Sequence, residues 1–167
     1  MSPLQKKVCL VGVPAVGKTS LVRRFVEGLF SEDYLTTIGV KIDRTTVDVD
    51  GREVRLIVWD VAGDDAMTPI RETYLRGAHG ILFVADGTRA ITLERALALR
   101  DRFAASLGPM PCVLAVNKAD LTDDWETDAD RLDAVRDSGV PVLVTSARTG
   151  DGVAEAFEAL ARRALEA

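Results

Sequence analysis

The chain has 167 residues, 47% of them hydrophobic and 28% charged, which is enough to bury a continuous core and excludes a disordered, fibrous or disulfide-scaffold protein. Its net charge of -5, from 21 basic and 26 acidic residues, gives no general attraction to nucleic acid or anionic lipid, so nucleic acid is not an expected partner. Cys9 and Cys112 each lie inside an apolar run and read as buried, reduced thiols of a cytoplasmic protein.

In chain order, "KVCLVGV", "VRLIVWDV", "GILFVAD", "CVLAVNK" and "VPVLVTSA" read as buried strands, most of them continuously apolar as strands covered on both faces must be. Between them, residues 18 to 28, 69 to 77, 91 to 106, 126 to 138 and 152 to 165 carry helical periodicity. The alternation predicts an α/β doubly wound fold, one domain over residues 1 to 167, with a mostly parallel six-stranded sheet and helices on both faces. The sixth strand comes from "VKIDRTTVDVDGREVRLIVWD", where Asp50-Gly51 is a hairpin signal that makes the first half an antiparallel edge strand. No apolar stretch is long enough for a membrane span. The C-terminal "AFEALARRALEA" has no cysteine for a prenyl group, so a lipid anchor is not expected and membrane contact would be indirect.

In open α/β sheets the ligand sits beyond the carboxyl ends of the strands, and the polar motifs all follow strand ends. "GVPAVGKT" fits the pattern G-x-x-x-x-G-K-[ST] between a strand and a helix. Pro14, Ala15, Val16, Gly17, Lys18, Thr19 and Ser20 would wrap phosphate oxygens, with Lys18 reaching the outer phosphates and Thr19 on Mg²⁺. A plain glycine-rich turn with a surface lysine leaves the flanking strand and helix unexplained. Asp60 ends the strand "RLIVWD" and can hold Mg²⁺ through water, since that ion keeps several waters and takes one or two protein oxygens. Standing alone, it would read as a helix cap or a solvated charge.

"NKAD" identifies the base. Guanine offers two adjacent donors, its ring NH and its exocyclic amine, which the carboxylate of Asp120 can accept together, whereas adenine offers no such pair. Asn117 can bond the base edge and tie neighbouring loops, and the Lys118 stem can lie over the ring. "TSAR" follows the next strand as a second base loop. Trp59 reads as core or partner surface, and His79, between a helix end and a strand, as a helix C-terminal cap.

With "GVPAVGKT", "TTIGV", "WDVAG", "NKAD" and "TSAR" in this order, the chain resembles the Ras superfamily of small GTPases, and within it the Rab branch, over nearly its whole length. "TTIGV", the tryptophan of "IVWDVAG" and "YLRGAHG" are the Rab-like details. The resemblance implies a P-loop NTPase (G) domain that binds GTP or GDP with Mg²⁺. Phe30 would pack on the guanine, Tyr34 would close over the phosphates, and Thr37 would bind Mg²⁺ and the γ-phosphate. Gly63 would contact that phosphate through its backbone. Ser146, Ala147 and Arg148 would form the second base loop, its base contact coming mainly from the Ala147 backbone. Residues 30 to 42 and 61 to 76 would be switch loops read by effector and regulator proteins.

Four departures bear on function. Arg148 replaces a usual lysine, and Ile42 stands where Rabs usually present a phenylalanine to partners. Pro14 lacks an NH and adds bulk where a partner's arginine would approach. Asp64 stands where most relatives carry a glutamine that positions the attacking water. An aspartate is one methylene shorter, has no donor when ionised, and meets about 3 kcal/mol of like-charge repulsion at a phosphate about 5 Å away. The chain therefore reads as a slow GTPase switch. The alternative is a GTP-locked binding module; a P-loop kinase is disfavoured by "NKAD" and by the absence of a separate acceptor lid.

Overall fold

The computed structural model describes residues 4–26, 40–64 and 69–166, and the backbone alone at 33–35. Its sheet runs β2-β3-β4-β1-β5-β6-β7. Here β1 is Leu4–Val11, β2 Asp33–Leu35, β3 Val40–Val49, β4 Arg52–Val61, β5 Gly80–Asp86, β6 Cys112–Asn117 and β7 Val142–Val144. β4, β1, β5, β6 and β7 are mutually parallel, and β3 is antiparallel to β4. These are the six strands read from the sequence. The three-residue β2 adds a short antiparallel pairing on Val40, Lys41 and Ile42.

The β3–β4 hairpin turns at Asp50 and Gly51, both with positive φ (52° and 82°), the geometry of a two-residue type I′ turn. Asp48 Oδ1 accepts from Gly51 N at 2.9 Å and fixes the turn.

Among the described residues, four α-helices cover the sheet: α1 Lys18–Phe25, α2 Ala90–Leu107, α3 Ala129–Asp137 and α4 Val153–Glu166. Alternate residues of each central strand enter opposite layers, as a pleated strand buried on both faces requires. Ile81, Phe83 and Ala85 of β5 pack with Leu93, Phe103 and Leu132 from α2 and α3. Leu82 and Val84 pack with Leu21, Phe157 and Leu160 from α1 and α4. Phe25 stacks on Phe157 with centroids 4.1 Å apart, joining α1 to α4.

Two sequence expectations need correction. Residues 69 to 77 form no α-helix; a single 3-10 turn, Glu72–Tyr74, stands there. The core anchors of this stretch are Ile70 and Leu75, five residues apart, a spacing that a helix would spread around its circumference. His79 is not a helix cap. Its Nδ1 accepts from Lys7 N at 3.0 Å and its own N donates to Lys7 O at 2.7 Å, so it ties the start of β5 to β1. Trp59 is half-buried against the core, with the Lys7 ammonium 3.8 Å from its ring centroid.

Candidate functional site

The carboxyl ends of β1, β4, β5 and β6 meet at one edge of the sheet, and the loops that leave them converge. Pro14, Ala15, Gly17, Lys18, Thr19, Ser20, Asp60 and Gly63 line one cavity of about 660 Å³. Gly17 initiates α1 with φ 100°, and a Cβ there would lie 2.3 Å from Asn117 Nδ2, so only glycine permits the loop to close on the base motif. Val16 is fully buried, and its carbonyl accepts from Asn117 Nδ2 at 3.1 Å.

The Lys18 ammonium is buried and donates to the carbonyls of Val13 at 3.1 Å and Gly12 at 3.4 Å. Burial pulls the Lys18 pKa down and pushes that of Asp60 up, and each group's charge partly offsets the effect on the other. Thr19 Oγ1 donates to Asp60 Oδ2 at 2.7 Å. A hydroxyl and a carboxylate oxygen side by side in a phosphate-loop cavity are hard donors of the number and type that Mg²⁺ takes from protein, so the residues fit that ion.

Two cations that the sequence motifs did not single out, Arg23 and Lys41, line the same cavity. Lys41 is the cross-strand partner of Asp60, and its ammonium lies 3.8 Å from the buried Asp43 carboxylate. The signal for Lys41 was its position: it precedes Asp43 by two residues on the same strand face, opposite the motif aspartate.

The base loops form a second, contiguous cluster. Asn117 Oδ1 accepts from Thr145 Oγ1 at 3.1 Å and from Ala147 N at 3.2 Å, so one amide side chain binds three loops together. Lys118, at φ 73°, donates to Ala15 O and pairs with Asp86, each at 2.9 Å. Ser146 Oγ donates to Asp120 Oδ1 at 2.7 Å, and Arg148, which is largely exposed, stands 3.9 Å from Asp120 Oδ2.

Asp86 was not singled out from the sequence. Its buried carboxylate receives Thr88 N, Thr88 Oγ1, Lys118 Nζ and Arg89 Nε. Burial pushes its pKa up, but these donors outweigh that and hold it below the usual carboxylate range. Arg89 also donates to Pro14 O at 3.1 Å, so Asp86 braces both the base loop and the phosphate loop. Asp86→Asn is expected to lower stability in urea unfolding by about 1–3 kcal/mol, and to speed GDP dissociation. Unchanged values for both would show that the brace contributes nothing.

Gly63 lies directly on the phosphate loop: a Cβ there would come within 2.5 Å of Pro14 N. Asp64 N donates to Gly12 O at 2.9 Å. The Asp64 side chain is committed elsewhere, its Oδ1 accepting from Ile70 N at 2.8 Å and standing 3.6 Å from Arg102 of α2. Arg102 donates in turn to Ile70 O at 3.2 Å. Phe30 and Thr37 lie outside the described residues, and Tyr34 is placed only as backbone in β2.

A phosphate loop, a metal-type oxygen pair and two base loops at one sheet end define a P-loop nucleotide-binding protein. A model of the Ras family matches residues 7–166. The Ras-related protein Rab-1A of Dictyostelium discoideum is 36% identical over 159 residues, spanning 93% of this chain and 78% of that protein. The chain belongs to the Ras family: it is a Rab-like small GTPase, a guanine-nucleotide-binding GTP hydrolase.

Proposed function

We propose that this GTPase works as a Mg²⁺-dependent switch with a very low intrinsic hydrolysis rate, and that its two loops, about 30–42 and 61–76, are what partner proteins read. The observation that carries the slow rate is the Asp64 carboxylate held by Ile70 N and Arg102. Engaged there, and with no donor on an ionised carboxylate, that side chain would be a poor group for holding a phosphate or orienting a water. Lys18, at the base of the cavity, would exchange its carbonyl partners for phosphate oxygens, and Thr19 and Asp60 would hold the Mg²⁺, whose role is to neutralise charge on the outer phosphates. Water would be oriented by backbone groups near Gly63 and Thr37, or by groups that a partner supplies. In the GTP state Thr37 and Gly63 would contact the γ-phosphate, and loss of that phosphate would release both loops.

The test is to identify the nucleotide that co-purifies with the protein and to measure single-turnover GTP hydrolysis. Bound GDP with slow but measurable turnover supports the switch. Retained GTP without turnover supports the locked module instead.

The Thr19–Asp60 contact makes a further prediction. Thr19→Asn should weaken GTP binding about tenfold more than GDP binding and raise the Mg²⁺ concentration needed to hold nucleotide, because it removes the hydroxyl that would ligate the metal and puts a bulkier amide in its place. Equal retention of both nucleotides at low Mg²⁺ would reduce Thr19 to a helix-start residue.

A further inference from the structure

At the opposite end of the sheet, where β5 and β6 begin, a separate cavity of about 200 Å³ lies between α2, α4 and the loops before β6 and β7. Its apolar wall includes Phe83, Phe103 and Met110, the first two almost fully buried. Its polar lining includes two guanidinium groups, Arg100 from α2 and Arg163 from α4, which both act on the Cys112 thiol, Arg100 also through a side-chain hydrogen bond. None of these residues lines the phosphate cavity.

The charge here is unbalanced. Among the described residues, neither Arg100 nor Arg163 is ion-paired, and the Arg163 Nε is buried with no hydrogen-bond partner. Cys112 does not supply a counter-charge, because burial raises its pKa and keeps the thiol neutral. Glu166 lines a neighbouring hollow with Arg163, and among the described residues the two form no ion pair. Both arginines are half-buried, so the cost is confined to the buried Nε of Arg163, which is left without a partner that an anion between the two guanidinium groups could supply. A guanidinium presents a planar fork matched to a carboxylate, and the aromatic walls favour an apolar body behind that carboxylate.

We propose that this cavity is a second ligand site, distinct from the nucleotide site, which takes a small organic carboxylate with a short apolar tail between Arg100 and Arg163. The carboxylate accepts from the guanidinium groups and the tail packs on Phe83, Phe103 and Met110.

The experiment titrates the intact protein, loaded with GDP and Mg²⁺, with hexanoate, hexanol and inorganic phosphate, and follows backbone amide shifts. Hexanoate is expected to saturate shifts around Cys112 and Phe83 with a Kd on the order of 1 mM, as suits a fragment of this size. Hexanol and phosphate should each bind about tenfold more weakly, the first lacking charge and the second lacking a tail. Arg163→Met and Arg100→Met, which keep the apolar stem, should each weaken hexanoate about tenfold while GDP binding is retained. Hexanoate that fails to saturate these shifts, hexanol or phosphate that binds equally well, or an unchanged affinity in folded Arg163→Met protein would each overturn the proposal. The comparison of the three probes on the unmodified chain decides the matter even if a variant fails to fold.

Discussion

Asp120→Asn is expected to weaken GDP binding on the order of a hundredfold or more and to shift preference toward xanthosine diphosphate. Guanine's ring NH and exocyclic amine are both donors, and a carboxylate accepts both. An asparagine offers one acceptor and one NH₂ group, so one guanine donor faces another donor. Xanthine replaces the exocyclic amine with a carbonyl, which the new NH₂ can meet. Ser146 Oγ donates to Asp120 Oδ1 at 2.7 Å and Arg148 stands near Oδ2, contacts that would hold the carboxylate in place for the two guanine donors. Parallel titrations with GDP and xanthosine diphosphate measure the shift. Unchanged GDP affinity would remove Asp120 from the base site. Ser146→Ala provides the contrast: it should loosen both nucleotides modestly without changing the preference, since it touches the carboxylate rather than the base.

The sequence made most of this framework legible because its signals are local and physical. The apolar runs had to be strands buried on both faces, and the Asp50-Gly51 turn could hardly be anything other than a hairpin, as its two positive φ angles show. The phosphate and base motifs carried their spacing with them. What was not legible lies mostly in contacts between elements. Asp86 ends an apolar strand and looks like any strand-end acid, yet it collects Lys118 and Arg89 from two different loops. Lys41 became part of the phosphate cavity only through its cross-strand register with Asp60. The stretch 69 to 77 looked helical because its composition is amphipathic, but Pro69, Gly77 and the five-residue spacing of Ile70 and Leu75 hold it as an irregular segment with one 3-10 turn. Arg100 and Arg163 come from two different helices to line one cavity and left no pattern in the sequence.

Asp64→Gln is expected to speed single-turnover GTP hydrolysis several-fold, up to about a hundredfold, while leaving GDP affinity nearly unchanged. In the unmodified chain the Asp64 carboxylate is held by Ile70 N and sits 3.6 Å from an Arg102 that is itself partly exposed. An ion pair of that kind contributes about 1 kcal/mol or less, so replacing the acid frees the side chain at little cost to the fold. A glutamine is neutral, one methylene longer, and carries both an acceptor for the attacking water and a donor toward the γ-phosphate. The loop's attachment does not depend on the side chain, because Asp64 N donates to Gly12 O and Gly63 packs on Pro14 whatever residue follows. The added amide therefore starts beside the phosphate loop. GDP has no γ-phosphate for that amide to face, which is why its affinity serves as the internal control. Asp64→Asn should give a smaller gain, since it supplies the donor without the reach. Arg102→Met should give none, because freeing the carboxylate from its partner adds no donor and leaves its negative charge facing negative oxygens. If Asp64→Gln slows hydrolysis instead, the carboxylate itself orients the attacking water in the GTP state, and its contacts with Ile70 and Arg102 belong to the resting loop alone.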